Sequence, residues 1–130
     1  PPGDVTALLA NLRYRLEPRF QASDIVLRWA VELIDPVPWL DAGAMRQLQF
    51  MVFEALSNML QHAQATELCI EAGVAEGGVR LRISDNGRGF DTTRPWRKGL
   101  LAMQERASAI GAVLSLQSVP GRTVVEIRLP

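Results

Sequence analysis

The sequence predicts an α/β (α+β) two-layer sandwich, with about five strands in one sheet and three helices on one face of it. Five segments alternate apolar and polar residues, as strands with one buried face do. Three other segments repeat apolar residues at helical spacing. The 130 residues, 48% of them hydrophobic, are enough for one compact core. We therefore expect residues 1–130 to form one domain.

The first half of the chain predicts two helices with a strand between them. An apolar stripe runs from Asp4 to about Arg19, and Pro18 marks the end of this first helix. Alternation from Ile25 to Leu33 predicts the strand. The long second helix should run from about Ala42 to Gln64, because its apolar residues repeat every 3.6 positions: Met45, Leu48, Val52, Ala55, Leu56, Met59 and Leu60.

The second half predicts two hairpins separated by a loop and a helix. Four alternating segments supply their strands: Leu68 to Val74, Val79 to Ile83, Val113 to Ser118 and Thr123 to Leu129. Gly77-Gly78 and Pro120-Gly121 supply the turns. A polar loop from Asn86 to about Lys98 leads into the third helix, which ends at Gly111.

Composition limits the classes of function. Fourteen basic residues balance fourteen acidic ones, so the chain lacks the electrostatic field that gathers nucleic acid or anionic lipid. We expect no nucleic-acid partner and no direct membrane contact. The single Cys69 and the single His62 make a zinc site or a Cys-His nucleophile pair improbable. No apolar stretch approaches the ~18 residues that span a bilayer, and we expect a cytoplasmic domain.

The polar side of the long helix is one candidate site. At about 100° per residue, four side chains fall within an arc of roughly 60°; they are Gln47, Glu54, Asn58 and Gln61. Carboxylate and carboxamide oxygens one turn apart suit Mg²⁺ that bridges to nucleotide phosphates. A solvated polar face explains the same pattern, and helix geometry alone favours that simpler interpretation.

A second candidate site is the end of the strand that starts at Val79. Counting by twos places Asp85 on the inward side, where a buried carboxylate needs a donor such as the exocyclic amine of adenine. Gly87 and Gly89 would let the backbone approach a flat ring. An Asx turn at Asn86-Gly87 is the simpler alternative.

Other groups can complete a nucleotide site. Strand parity turns the Thr123 hydroxyl inward, where it can support Asp85 or a bound water, although a plain strand residue also fits. Free N–H groups at the start of the third helix, with Arg97 and Lys98, suit phosphate oxygens. His62 leans toward the apolar flank of its helix, where packing explains it as well as ligand contact.

Three segments resemble the motifs of the sensor histidine kinases. Glu54-Ala-Leu-Ser-Asn58-Met-Leu-Gln-His62-Ala is similar to their N box, and Asp85-Asn-Gly87-Arg-Gly89-Phe90 to their first glycine box. Gly99-Leu100-Leu101-Ala-Met103-Gln-Glu105-Arg106-Ala resembles the helix after the ATP lid. Order and spacing match over essentially the whole chain. The terminal Leu129-Pro130 is typical of the branch whose kinases pair with helix-turn-helix response regulators.

The resemblance implies the Bergerat fold of the GHKL ATPases, a mixed sheet with ATP held between the N-box helix and a mobile lid, here Asp91 to Lys98. It implies ATP and Mg²⁺ as cofactors, with Asn58 holding the metal and Glu54 orienting a water or the metal. Asp85 would read the adenine amine. The other residues that we expect at the nucleotide are Gln61, His62, Gly87, Gly89, Phe90, Lys98, Gly99, Leu100 and Thr123.

The implied activity is that of a protein-histidine kinase, whose catalytic domain supplies the γ-phosphoryl group for histidine autophosphorylation in two-component signal transduction. The acceptor histidine would lie outside this chain, on the dimerisation helix of the same kinase, and a response regulator would be the next partner. Gln61, Arg97 and Arg122 depart from the family pattern, which has lysine, glycine and glycine there. They support an alternative, a degenerate GHKL module with weak or no nucleotide binding that acts as an interaction or regulatory domain. An anti-sigma-factor serine kinase is a third candidate.

Overall fold

A computed structural model describes residues 2–62, 64–89 and 97–130. Phe90 and the lid residues 91–96 lie outside the described residues, as do the side chains of Arg97 and Lys98, so the predictions for them stay predictions. The elements, in chain order, are α1 (Val5–Ala22), β1 (Val26–Val31), α2 (Ala42–His62), β2 (Glu67–Ala75), β3 (Gly78–Asp85), α3 (Arg97–Ala109), β4 (Val113–Val119) and β5 (Arg122–Leu129).

The strands form one mixed sheet in the order β1-β2-β3-β5-β4. β1 and β2 are parallel, because α2 carries the chain back to the same end of the sheet between them. The other neighbouring strands are antiparallel. In this register Asp85 pairs with Leu68 of β2 on one side and with Thr123 of β5 on the other.

The helices cover one face of this sheet. Alternate residues of β2, β3 and β5 are buried, and they pack with the buried stripes of the helices in one hydrophobic cluster. Each such aliphatic side chain stabilises the fold by about 1.5–3 kcal/mol. On the opposite face Glu126 accepts hydrogen bonds from Arg82 at 2.8 Å and Arg128 at 3.0 Å. The predicted two-layer sandwich is confirmed.

The first helix is longer than predicted. Asp4 caps it, with Oδ1 accepting from the Ala7 N–H at 2.9 Å, but α1 continues through Pro18 to Ala22. Proline lacks an N–H and weakens a helix interior. Here the last turn also carries Phe20, which is only 2% exposed, and the burial of this side chain offsets the stability that proline costs the helix. The prediction that the helix stops at Pro18 was wrong.

Other boundaries also differ by one or two residues, and two of these differences have a reason in the backbone dihedral angles. α2 ends at His62 rather than at Gln64, because Gln64 has a φ of 52°, which a continuing helix cannot contain. The β2–β3 turn is formed by Glu76 and Gly77, both with positive φ, and not by Gly77-Gly78. Gly78 belongs to β3, where a Cβ would lie 2.1 Å from the carbonyl oxygen of Leu129.

Within the described ranges, the helices are all too short or too polar to cross a membrane.

Candidate functional site

Asp85 is a buried carboxylate at the last position of β3. Only 5% of the residue is exposed, which confirms the predicted inward orientation. Its Oδ1 accepts a 2.7 Å hydrogen bond from the N–H of Gly87. Among the described residues, its Oδ2 has no hydrogen-bond partner. Burial raises the pKa of this carboxyl, and the Gly87 N–H lowers it by a smaller amount. The free oxygen is available to a donor from a ligand.

The loop after Asp85 is held by the turn between β4 and β5. The N–H of Gly121 donates a 2.7 Å hydrogen bond to the carbonyl oxygen of Gly87. Gly89 has a φ of 84°, and a Cβ there would lie 2.9 Å from the carbonyl carbon and oxygen of Val119. At Gly89 the close approach is therefore to the chain's own backbone, and the predicted approach of Gly87 and Gly89 to a flat ring stays a prediction.

Asn86 joins the same loop to the start of β2. Its Oδ1 accepts from the N–H groups of Thr66 and Glu67, both at 3.0 Å. Its Nδ2 donates to the Thr66 hydroxyl at 2.9 Å. The predicted alternative of an Asx turn is present in this loop with Asp85 as its first residue, because Asp85 Oδ1 accepts from the N–H of Gly87 two positions later. The Asn86 side chain takes no part in that turn and bonds to residues about 20 positions earlier in the chain.

Thr123 lies beside Asp85 across the β3–β5 ladder and is completely buried, as its parity predicted. Its hydroxyl lies 2.7 Å from the hydroxyl of Ser118, its cross-strand partner on β4. Either oxygen can donate in this pair. The two hydroxyls thus continue the polar region from Asp85 toward the edge of the sheet.

Glu54 and Asn58 form a pair on α2. Asn58 is 8% exposed, and its Nδ2 donates to the carbonyl oxygen of Glu54 at 2.9 Å and to Glu54 Oε1 at 3.3 Å. These two bonds use both amide protons, so the group that Asn58 has left for a ligand is Oδ1, an acceptor. Mg²⁺ is coordinated by oxygen atoms, and the two hydrogen bonds fix the orientation of this one.

The polar stripe of α2 faces α3. Gln47 accepts a 2.9 Å hydrogen bond from Arg106, whose guanidinium also lies 4.0 Å from the centre of the Phe50 ring. A Cβ on Gly99 would lie 2.8 Å from Glu54 Oε1 and 3.5 Å from Asn58 Nδ2. The alternative of a solvated face thus describes the exposed Gln61 but not the buried Asn58, while Gln47 and Glu54 are half-buried.

One hydrogen bond joins the two halves of the candidate site. Arg88 Nε, in the loop after Asp85, donates to the carbonyl oxygen of His62 at 3.0 Å. His62 is the last residue of α2 and lies one turn after Asn58. The carboxylate of β3 and the carboxamide of α2 therefore lie at the same end of the molecule. The His62 ring is half-buried, and Leu100 packs against the core near the start of α3.

The described residues provide few protein ligands for a metal. Among residues 2–62, 64–89 and 97–130, no group of three His, Cys, Asp or Glu side chains is arranged to hold an ion. A metal held by Asn58 would complete its coordination with water and phosphate oxygens, as Mg²⁺ does when it is bound with a nucleotide. The residues present therefore fit Mg²⁺ together with a nucleotide.

Sequence reasoning missed three contributors to this site. Asn86, Arg88 and Ser118 each contact a residue on another element. Only Ser118 had a signal in the sequence, since pairing across the Pro120-Gly121 hairpin places it opposite Thr123. The other two contacts depend on loop geometry that alternation does not reveal.

The sequence has recognisable relatives. The profile of the family described as histidine kinase-, DNA gyrase B-, and HSP90-like ATPase matches residues 43–130. Sensor histidine kinase LiaS of Bacillus subtilis is 37% identical over 94 residues, which cover 70% of this chain and 26% of that protein. Sensor protein VraS of Staphylococcus epidermidis is 39% identical over 80 residues, which cover 59% and 23%. The chain spans about a quarter of the length of these curated relatives.

Solved structures share the fold. Acinetobacter baumannii histidine kinase AdeS gives a TM-score of 0.83 at 19% identity, covering 99% of this chain and 66% of that one. Full-length ShkA in complex with AMPPNP gives 0.83 at 19% identity, covering 100% and 30%. The catalytic domain of histidine kinase ThkA gives 0.78 at 9% identity, covering 100% and 95%. At such identities these matches show the fold alone.

The match over residues 43–130 includes α2, the strands that carry Asp85 and Thr123, and α3. It confirms the predicted resemblance to the ATPase domains of sensor histidine kinases. The chain belongs to the histidine kinase-, DNA gyrase B- and HSP90-like ATPase family.

Proposed function

We propose that this chain binds ATP with Mg²⁺ and supplies the γ-phosphoryl group for histidine autophosphorylation in two-component signalling. The observation that carries the proposal is the Asp85 carboxylate, buried at the end of β3 with Oδ2 unpaired among the described residues. An unpaired buried acceptor costs about 1–3 kcal/mol. A ligand that donates a hydrogen bond there removes that cost, and the exocyclic amine of adenine is such a donor.

The metal end of the nucleotide would lie at α2. Asn58 would offer Oδ1 to Mg²⁺, while Glu54 holds the amide in the required orientation through two hydrogen bonds. Bound Mg²⁺ would neutralise charge on the phosphate oxygens. Gly99 would leave room between α3 and the Glu54 carboxylate, and the N–H groups at the start of α3 would face phosphate.

Phosphoryl transfer needs an acceptor from elsewhere. In the proposed reaction an imidazole nitrogen forms a bond to the γ-phosphorus while the bond to the β,γ-bridging oxygen breaks, and ADP leaves. The protein contributes positioning and electrostatics rather than covalent chemistry. The acceptor would be carried by the dimerisation helix of the same kinase, and a response regulator would receive the group next. Since ATP is the substrate, the domain would work in the cytoplasm.

Two of the three departures from the family pattern do not obstruct the site. Gln61 is exposed, and Arg122 is exposed next to the buried Thr123, so its side chain leaves β5 on the other face of the sheet. The side chain of Arg97 lies outside the described residues. Steric obstruction at these two positions therefore gives no support to the alternative of a degenerate module, which keeps the missing lysine charge at Gln61 as its ground.

Calorimetry with a non-hydrolysable ATP analogue and Mg²⁺ tests the proposal. We expect micromolar affinity for the wild-type chain and a loss of that affinity in Asp85→Asn, which should bind more weakly and without a preference for adenine, because the asparagine amide offers adenine a donor instead of an acceptor. Asp35→Asn, in the exposed loop after β1, is the matched control and should bind normally. Absence of heat at millimolar nucleotide would support the degenerate module instead.

A further inference from the structure

We propose that Asn86 is a positioning residue for nucleotide recognition, because its carboxamide fixes the loop that aims the Asp85 carboxylate. The inference rests on the proposed ATP binding and extends it to a residue that would not itself touch the nucleotide. The arrangement that supports it is a set of hydrogen bonds between this loop and the residues that enter β2.

Asn86 makes four hydrogen bonds to two residues. Its side chain accepts from the N–H groups of Thr66 and Glu67 and donates to the Thr66 hydroxyl. Its own N–H donates to the carbonyl oxygen of Glu67 at 3.2 Å. A carboxamide is suited to this set because it carries an acceptor and a donor on one planar group.

These bonds extend the pairing of β2 and β3 beyond its last residue pair. The ladder ends where Leu68 faces Asp85, and Asn86 then binds the two residues that precede Leu68. Thr66 is itself held, because its carbonyl oxygen accepts from the N–H of Val26 at 2.9 Å. The chain leaving Asp85 is therefore attached to β1 as well as to β2.

The orientation of Asp85 depends on this attachment. Gly87 immediately follows Asn86, and its N–H holds Asp85 Oδ1 at 2.7 Å. The carbonyl oxygen of Gly87 is bound by Gly121, so the loop is fixed on two sides. Removing the Asn86 side chain would release one side, after which the Gly87 N–H can leave the carboxylate and Oδ2 can rotate.

The side chain of Asn86 is exposed, which allows a positioning role to be separated from general stability. Truncating an exposed polar side chain away from the core usually changes stability little. A purely structural role would weaken binding of every nucleotide equally. A positioning role weakens selection of adenine while contacts to the phosphates remain.

Two substitutions test the inference. Asn86→Ala removes all three side-chain hydrogen bonds, whereas Asn86→Asp keeps an acceptor for the Thr66 and Glu67 N–H groups. Gln117→Ala, an exposed carboxamide on β4, is the matched control. Amide hydrogen exchange of Gly87 is measured without nucleotide. The affinities for ATP and GTP analogues with Mg²⁺ are then compared, and thermal melting checks the fold.

In Asn86→Ala we expect Gly87 exchange protection and the ATP-over-GTP preference each to fall on the order of tenfold. Asn86→Asp and the control should retain both. Unchanged Gly87 protection in Asn86→Ala would overturn the inference, as would a loss of protection shared equally by the core amides of β2 and β3. If the wild-type chain binds neither nucleotide, the proposed function fails, while the exchange data still decide whether Asn86 fixes Asp85.

Discussion

Gly99 lies against the carboxylate of Glu54, so closely that a Cβ on Gly99 would come within 2.8 Å of Glu54 Oε1. The same oxygen accepts from Asn58 Nδ2 at 3.3 Å. The start of α3 and the proposed metal ligand are therefore coupled through one carboxylate. A side chain at Gly99 would have to displace that carboxylate, and Asn58 would lose one of the bonds that orient it.

Gly99→Ala should separate stability from function. The clash is with the end of a flexible side chain, and alanine is the better helix former by about 0.5–1 kcal/mol, so we expect the free energy of unfolding to stay the same or rise. Affinity for Mg²⁺ with an ATP analogue should fall about tenfold, or about 1.4 kcal/mol. Denaturant unfolding and calorimetry measure the two effects.

The matched control for this change is Gly43→Ala, in the first turn of α2, where the nearest side-chain atom to a Cβ is Asp41 Oδ1 at 3.4 Å. It should leave nucleotide affinity unchanged. Equal losses of affinity in the two variants would show that the Glu54 contact has no special role.

Asp85→Asn should stabilise the ligand-free protein at neutral pH. Burial raises the pKa of Asp85 above its ordinary value of 3.8, so the folded state disfavours the ionised form. The stabilisation of the folded state by the protonated carboxyl is fully present below pH 3.8. It is lost as the pH rises through the pKa that Asp85 has in the folded state. Asparagine keeps the acceptor for Gly87, and we expect a gain of about 1 kcal/mol at neutral pH.

Urea unfolding of wild-type and Asp85→Asn protein between pH 3.5 and 7.5 measures this difference. The gain should shrink as pH falls toward the ordinary aspartate pKa. A variant that is less stable than wild type at neutral pH would show that the carboxylate is paired in solution, contrary to the geometry.

Glu126→Gln should show the opposite dependence on pH. Burial acts to raise the pKa of Glu126, but hydrogen bonds from Arg82 and Arg128 outweigh it, and the pKa lies below the ordinary value of 4.5. The stabilisation is present above pH 4.5 and is lost as pH falls through the folded pKa. We expect glutamine to cost up to about 1 kcal/mol at neutral pH, since the arginines are partly exposed.

Glu71→Gln is the control for this change, because Glu71 lies on the same sheet face and makes no ion pair within the described part of the chain. Unfolding at pH 7, 5 and 3 should show a difference only for Glu126→Gln, largest at pH 7. A difference in the free energy of unfolding that grows toward pH 3 would contradict a lowered pKa for Glu126.

Periodicity predicted the parts of the fold and site that depend on local pattern. Counting by twos places Asp85 and Thr123 inward, and both are buried because their strands lie inside the sheet. Helical spacing gathers Glu54 and Asn58 on one side of α2. The N-box pattern then assigns them a chemistry that spacing alone left open.

The features that the sequence did not predict depend on contacts between distant residues. Gly89 lies against Val119, and Asn86 binds Thr66, which lies just before β2. Local sequence patterns do not predict contacts between residues so far apart in the chain. The same limit applies at Pro18. Proline usually ends a helix, but α1 continues past it because the last turn buries Phe20.

In the proposed function, Asp85 and Asn58 hold two ends of one nucleotide. Calorimetry with ATP and GTP analogues, each with and without Mg²⁺, tests it in wild-type, Asp85→Asn and Asn58→Ala protein. We expect Asp85→Asn to lose the preference for adenine but to keep the dependence on Mg²⁺, and Asn58→Ala to do the reverse. Binding in which both variants keep the wild-type base preference and metal dependence would contradict it.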